Sequence, residues 1–228
     1  MAIAQIQAKL APLGMVEGAY ESFRAGHMPE KGAYWYSATV FNGLSEAELD
    51  QLEDRLPYPV PEQSKTVLPP TLRQFLSVTN GMHCHNLSIY GDQGRMDHGV
   101  GMPIDLGTPQ LVRPPNISKL WFCFGSMNGP STSQGKLYLT EDEEVFLAHR
   151  DTGDIGARWS GMVEFLTSEV PRLLAAHDAR GDILPGMSEL PGNTENWEST
   201  AERAKYGLFL WRKPFRRFSI WIAGLRRH

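Results

Sequence analysis

The chain has 228 residues, is 41% hydrophobic and 10% aromatic, and carries a formal net charge of −4. This length and apolar content support one core with extensions, or two small cores, and they exclude a globally disordered chain. Cys84 and Cys123 are too few for a disulfide framework. We therefore expect a reduced, cytoplasmic protein, with no secretory signal and no membrane span.

The net charge hides an asymmetry between the body of the chain and its end. Seven basic residues and no acidic one lie between Lys205 and His228, which leaves 15 basic against 26 acidic residues in the rest of the chain. The body is thus acidic, with a balance of −11, and the tail is cationic. Such opposition usually marks a site of interaction, either with a partner or between the two parts.

The N-terminal part predicts helices followed by a β-prone segment. Apolar residues from Ile3 to Phe23 lie at helical spacings, which predicts one or two short helices in the first 24 residues. An aromatic segment from Tyr34 to Phe41 favours a strand. We interpret residues 1–43 as a helical extension that packs on the core.

The next two helices have clear boundary signals. Ser45 and Glu48 have the spacing of a capping box. Pro70 suits the first turn of a second, short helix because the N–H that proline lacks would have no partner there. The pair Asn80-Gly81 predicts the end of this helix, with Gly81 in the left-handed conformation.

The same region continues into a strand and a loop. Three apolar residues of the second helix share one face, which we expect to point into the core: Leu72, Phe75 and Leu76. Leu87 and Ile89 then alternate with polar residues, a pattern typical of a half-buried strand. The segment Gly91–Gly107 carries five glycines and little periodicity, which indicates an irregular loop.

The second half of the body predicts strands and a closing helix. Short apolar runs bounded by polar residues predict strands at 120–124, 137–139 and 145–148, with a turn at 151–154. A core helix should begin near Ser160 and continue beyond Pro171. This order argues for an α+β fold, a mostly antiparallel sheet flanked by helices, because the strand spacing is too short for repeated crossovers.

We interpret residues 178–228 as a linker and a basic-aromatic C-terminal extension. Gly and Pro are frequent up to residue 193, and Thr194 can cap a short helix. A helix within 206–228 would gather its aromatic and aliphatic residues on one side. We favour packing of that side on this protein or on a second copy. Contact with a membrane surface or a partner groove is the alternative, and the acidic body argues against nucleic acid.

His83, Cys84 and His85 are the first candidates for a metal site, because imidazole and thiolate are good zinc ligands. Successive residues of a strand point to opposite faces, so His83 and His85 can share a site with a third ligand such as His98 or Asp97, whereas Cys84 cannot easily join them. We favour the plainer interpretation of a strand junction with a buried cysteine, without metal or cofactor.

Other catalytic patterns are weak in this chain. Neither cysteine lies in a strand–turn–helix elbow, and residues 94–101 lack the lysine and the glycine spacing of a phosphate loop. Four contiguous acids indicate a solvated hairpin turn rather than a catalytic pair: Glu141, Asp142, Glu143 and Glu144. We expect this acidic ridge to contact a basic protein partner, such as a nuclease toxin.

Several of these pieces, taken in order from about Leu44 to Ala176, resemble the SUKH superfamily (SMI1/KNR4 family). The pieces are the helix SEAELDQLEDRL, the block LPPTLRQFLSVTNG with the strand NLSIYG, the segment KLYLTEDEEVFLAHRDTGDI and the helix WSGMVEFLTSEVPRLL. The resemblance implies an SMI1/KNR4-like domain over residues 44–177. Its recognisable packing and turn residues fall on Leu68, Pro69, Phe75, Leu76, Asn80 and Gly81.

Proteins of this superfamily serve mainly as bacterial immunity proteins, with some eukaryotic members acting as regulators. The resemblance therefore implies a non-enzymatic module that neutralises a cognate toxin by direct binding and needs no cofactor. Two alternatives stay open. One is a regulatory or scaffold protein that docks through its cationic C-terminal helix, and the other is a small metal-dependent enzyme that uses His83, His85 and His98.

Overall fold

The computed structural model describes residues 15–18, 22–28, 31, 36–56, 67–93, 103–111, 113–129, 134–194 and 197. Within these residues the strands are β1 (Met15–Gly18), β2 (Ser22–His27), β3 (Tyr36–Phe41), β4 (Met82–Cys84), β5 (Leu87–Ile89), β6 (Phe122–Asn128), β7 (Gln134–Leu139), β8 (Val145–His149) and β9 (Ile155–Trp159). The helices are α1 (Glu46–Arg55), α2 (Pro70–Val78), α3 (Thr108–Leu111) and α4 (Met162–Ala176).

The nine described strands form one sheet whose spatial order is the order of the chain. Every neighbouring pair is antiparallel. Short connections suffice for such a meander, whereas parallel neighbours would need long crossovers. The predicted α+β class with an antiparallel sheet is therefore confirmed.

One face of the sheet, here called the core face, packs against α4. Five directly paired or adjacent residues on this face are fully buried: Leu87, Ile89, Met127, Leu137 and Leu147. The ring of Phe165 in α4 meets Phe124 and Trp159 edge to face, at ring-centroid distances of 5.9 and 5.0 Å. As predicted, α4 continues through Pro171.

Helices α1 and α2 confirm their predicted starts. The Ser45 side chain accepts from the Glu48 N–H, and the Glu48 carboxylate accepts from the Ser45 N–H, which completes the capping box. Pro70 occupies the first turn of α2. The predicted inner face is also confirmed, because Leu72, Phe75 and Leu76 are all buried.

The end of α2 differs from the prediction. The helix stops at Val78, and the Thr79 N–H donates to the Phe75 carbonyl. Gly81 does have a positive φ of 84°, but it lies between the helix and β4, where its carbonyl accepts from Thr79 Oγ1 at 2.7 Å and from the Phe41 N–H at 3.4 Å. Gly81 thus shapes the entry to β4 rather than the last helical turn.

The strand predicted after the glycine is present, but it is not half-buried. Leu87 and Ile89 lie in β5, and Ser88 between them is also buried, at 9% exposure. Tyr90, which follows the strand, is 1% exposed. Both faces of this strand are therefore covered.

The helical prediction for the first 24 residues is wrong where the structure describes them, because residues 15–18 and 22–27 form β1 and β2. The strand predicted within residues 34–41 is confirmed as β3, which joins these strands to β4. Short apolar runs do not distinguish a helix from a strand by spacing alone. Here the segment forms a strand because its backbone pairs with β3, where Phe23 lies opposite Val40. Residues 1–14 lie outside the described residues.

The segment predicted as a linker instead packs on the body. We call residues 178–197 the C-terminal arm. Leu190 and Trp197 are each 4% exposed and belong to the core. The Asn86 side-chain amide donates to the Glu189 carbonyl, and Arg172 donates to the same carbonyl from α4. The helix predicted after Thr194 is described only at Trp197, and 198–228 lie outside the described residues.

Trp197 fits against the sheet because two glycines leave room for its ring. A Cβ atom on Gly135 would lie 3.1 Å from the indole, and one on Gly156 would lie 2.7 Å from it. The indole also meets the His149 ring edge to face at 5.1 Å. Trp197 therefore attaches the arm to strands β7, β8 and β9.

Replacement Trp197→Ala should lower the free energy of unfolding by about 3–5 kcal/mol, because it empties a buried aromatic site. Urea denaturation followed by circular dichroism measures this change. Met187→Ala is the matched control, since Met187 lies on the same arm but is 45% exposed. Equal destabilisation by the two variants would contradict the packing described for the arm.

Candidate functional site

The start of α2 is joined to the predicted acidic ridge. The ridge lies in the turn between β7 and β8, where Glu143 has a positive φ of 62°. In this conformation the Glu143 carboxylate accepts a hydrogen bond of 2.8 Å from the Thr71 N–H. That N–H is one of the groups at a helix start that have no partner within the helix, so Glu143 caps α2 from 72 residues away.

Helix α1 brings further carboxylates to the same helix. Arg73 of α2 donates to Glu46 at 2.7 Å, Asp50 at 2.9 Å and Glu53 at 3.0 Å. These carboxylates stabilise the charged guanidinium and raise the pKa of Arg73 above its ordinary value. Glu53 also accepts from the Leu68 N–H at 3.1 Å. Two neighbouring positions of α2, Thr71 and Arg73, therefore hold the two acidic groups beside each other.

We call these groups together the acidic surface. It comprises five acids of α1 and four of the turn: Glu46, Glu48, Asp50, Glu53, Asp54, Glu141, Asp142, Glu143 and Glu144. In the helices and turn that form it, Arg55 and Arg73 are the described cations. Five of the nine carboxylates are exposed: Glu46, Asp50, Asp54, Glu141 and Asp142.

The four predicted contact residues differ in their exposure to solvent. Glu141 and Asp142 are exposed, whereas Glu143 and Glu144 are partly buried and Glu143 is already bound to Thr71. The contribution of α1 was missed in the sequence. Its signal was available, since Glu46, Asp50 and Asp54 recur every four residues along one side of a predicted helix.

The block that carries the resemblance has a structural explanation. Leu68 and Leu76 are buried in the core, and Pro69 precedes the first residue of α2. The Asn80 amide pairs with the backbone of Asp92, donating to its carbonyl at 3.0 Å and accepting from its N–H at 2.6 Å. Asp92 also meets Arg55 of α1 at 2.6 Å. The start of the glycine-rich loop is thus fixed next to the acidic surface.

His83 and His85 do not share a site. His83 lies on β4, and its Nδ1 is 3.0 Å from Ser88 Oγ. His85 lies after the end of the strand with a φ of 49°, and its ring stacks on His177 at 3.9 Å. The expected alternation through His85 is therefore wrong, because the chain turns at that residue. Among the described residues no group of three His, Cys, Asp or Glu side chains has the arrangement of a metal site, and His98 lies outside them.

The side chains of the two cysteines pack in the hydrophobic core. Cys84 is fully buried and Cys123 is 1% exposed. Burial raises the pKa of the Cys84 thiol to about 12 and that of the Cys123 thiol to about 11. Both groups are therefore protonated near neutral pH, and a protonated thiol is a poor nucleophile.

None of the helices in the described part of the chain combines the length and the apolar content that a membrane crossing requires. Models of protein families, curated proteins and solved structures were compared with this chain, and none of them matches it.

Replacement Glu143→Ala should destabilise the protein by about 0.5–2 kcal/mol, the usual effect of removing a helix cap. Glu141→Ala is the matched control, because Glu141 belongs to the same turn and is exposed. Its effect should stay within about 0.5 kcal/mol. Chemical denaturation measures both variants, and equal stabilities would refute the capping role of Glu143.

The stacked histidines should make stability depend on pH. Burial lowers the pKa of His85 to about 4 from 6.5, and the nearby His177 and Lys31 act in the same direction. Between these two values the unfolded chain binds more protons than the folded one, so stability should fall as pH falls from about 6.5 to 4. Partial exposure to solvent limits the expected loss to roughly 2 kcal/mol.

Replacement His85→Asn should flatten this part of the stability profile, measured by urea denaturation at successive pH values. Asparagine tolerates the positive φ of this position. His27→Asn, at an exposed histidine of β2, serves as the control and should leave the slope unchanged. An unaltered slope in the His85 variant would rule out the proposed origin of the pH dependence.

Proposed function

We propose that this chain is a non-enzymatic protein-binding module of SUKH type, and that it acts as an immunity protein that neutralises a cognate toxin by direct binding. The acidic surface would cover the cationic active site or substrate groove of the toxin. The observation that carries the proposal is the convergence of α1 and the β7–β8 turn on α2, which brings together two acidic segments with five exposed carboxylates: Glu46, Asp50, Asp54, Glu141 and Asp142.

The acidic surface suits fast and specific recognition of a basic protein. Its carboxylates are held by fixed helices and by a turn that is bonded to α2, so little order has to be gained on binding. Exposed acids such as Glu141 and Asp142 attract a basic partner over several ångströms and mainly increase the association rate. Asp92 contacts Arg55 of α1, and the loop predicted at Gly91–Gly107, to which it belongs, would form the adaptable edge of this surface.

Asp142→Lys should slow the association of the toxin roughly threefold to tenfold at low salt, because it reverses one exposed charge of the surface. The full-length protein is first used to capture its partner from extracts of the source cells. We expect a basic toxin whose toxicity is relieved when this chain is co-expressed. Surface plasmon resonance with that toxin then measures the association rate.

Asp151→Lys provides the matched control for this experiment. It makes the same change of residue and charge in another exposed turn, between β8 and β9. Its association rate should stay close to that of the wild type. If co-expression relieves no toxicity, the immunity function is wrong; if the two variants bind equally, the acidic surface is not the contact.

A further inference from the structure

A single line of polar side chains crosses six adjacent strands on the face of the sheet opposite the core face. The strand register places each member directly beside the next. From β2 to β7 they are Arg24, Thr39, His83, Ser88, Ser126 and Lys136, here called the polar row. Their neighbours along each strand, such as Ala38, Cys84 and Leu137, are buried on the core face.

Hydrogen bonds fix two parts of the row. His83 Nδ1 lies 3.0 Å from Ser88 Oγ. Lys136 Nζ donates at 2.7 Å to the hydroxyl of Tyr90, which lies beside the row on the same face. The Lys136 ammonium has three N–H groups, so two remain for other acceptors after the bond to Tyr90.

The strands that carry the polar row contain basic but no acidic residues. Acidic residues outnumber basic ones in the chain, 26 to 22, yet none lies in the described strands β2–β9. The row itself contains two permanent cations, Arg24 and Lys136, one imidazole and three hydroxyl groups. A negatively charged group placed on it would therefore meet hydrogen-bond donors and no competing carboxylate of the strands.

The row contains both buried and half-buried members. Arg24, Ser88 and Ser126 are 8%, 9% and 7% exposed, while Thr39, His83 and Lys136 are half-buried. Partial burial weakens solvent screening and strengthens a charge-assisted hydrogen bond formed there. Neighbouring strands lie about 4.8 Å apart, so β4 and β7 are separated by about 14 Å along the row.

We propose that the polar row is a binding site for an extended small molecule that carries an oxyanion, either a phosphate or a carboxylate. The oxyanion binds at Lys136 and Ser126, and the rest of the ligand lies along the row towards His83 and Thr39. This site is separate from the acidic surface and does not depend on the proposed immunity function. The carboxylates of the acidic surface would repel the same ligand.

Calorimetric titration of the full-length protein tests the site with three probes: inorganic phosphate, pyrophosphate and citrate, at pH 7 and constant ionic strength. At least one should bind saturably and raise the melting temperature with its concentration. Lys136→Met should weaken that binding about tenfold or more, the scale of one lost charge-assisted hydrogen bond. Lys136→Arg should largely restore it. Preference for phosphates or for citrate then identifies the oxyanion.

Lys119→Met is the matched control, because Lys119 is exposed and lies outside the strands. It should bind the probes like the wild type. Thr39→Glu adds a carboxylate about 19 Å from Lys136, beyond the reach of these three probes, and should leave their binding close to that of the wild type. Circular dichroism of each unliganded variant shows that it is folded. Absence of saturable binding by the wild type, or equal affinity of the Lys136→Met and Lys119→Met variants, would overturn the proposal.

Discussion

Helix α2 is held at both ends by groups from distant parts of the chain, and the placement of its neighbours depends on these bonds. At its start the Thr71 N–H donates to Glu143. Near its end the Leu76 carbonyl accepts from the Leu44 N–H at 2.8 Å. A helix of nine residues is marginal by itself, so its stability comes from such bonds and from the complete burial of Leu72 and Leu76. The β7–β8 turn and the chain before α1 are thereby fixed around one short element.

The absence of carboxylates from strands β2–β9 gives the molecule two surfaces of different chemistry. An acid inside the sheet would lose its hydration, which is costly unless a cation pairs with it. The buried acids outside the strands follow this rule, since Glu53 meets Arg73 at 3.0 Å and Glu169 meets Arg172 at 2.6 Å. Most of the other described carboxylates lie on helices and turns, where water can hydrate them. The acidic surface and the polar row are both consequences of this distribution.

Local signals allowed much of the fold to be predicted from the sequence. The capping box at Ser45, the proline start of α2 and the apolar spacing of α4 each depend on residues within a few positions of one another, and all three are confirmed. Strands β1 and β2 were missed because the spacing of their few apolar residues fits a helix as well as a strand. Strand β9 was missed because its residues are only partly apolar.

The candidate sites depend on contacts that no local pattern encodes. Glu143 and Thr71 are 72 residues apart, and nothing in the acidic run distinguishes the one carboxylate that caps a helix. The polar row requires the register of six strands, and an irregularity between Cys123 and Gly125 shifts that register within β6. Because one added residue moves a strand's side chains to the other face, such a row becomes visible only in three dimensions.

The C-terminal arm belongs to the fold because it covers the last strand of the sheet. An edge strand exposes backbone groups that invite pairing with other chains. The Asn193 N–H donates to the Gly156 carbonyl of β9 at 2.9 Å. Gly192 has a positive φ of 72°, and a Cβ there would lie 2.2 Å from the same carbonyl, so only glycine permits this approach. Since Trp197 then packs beyond this point, the domain extends at least to that residue, and a boundary at 177 would remove part of its core.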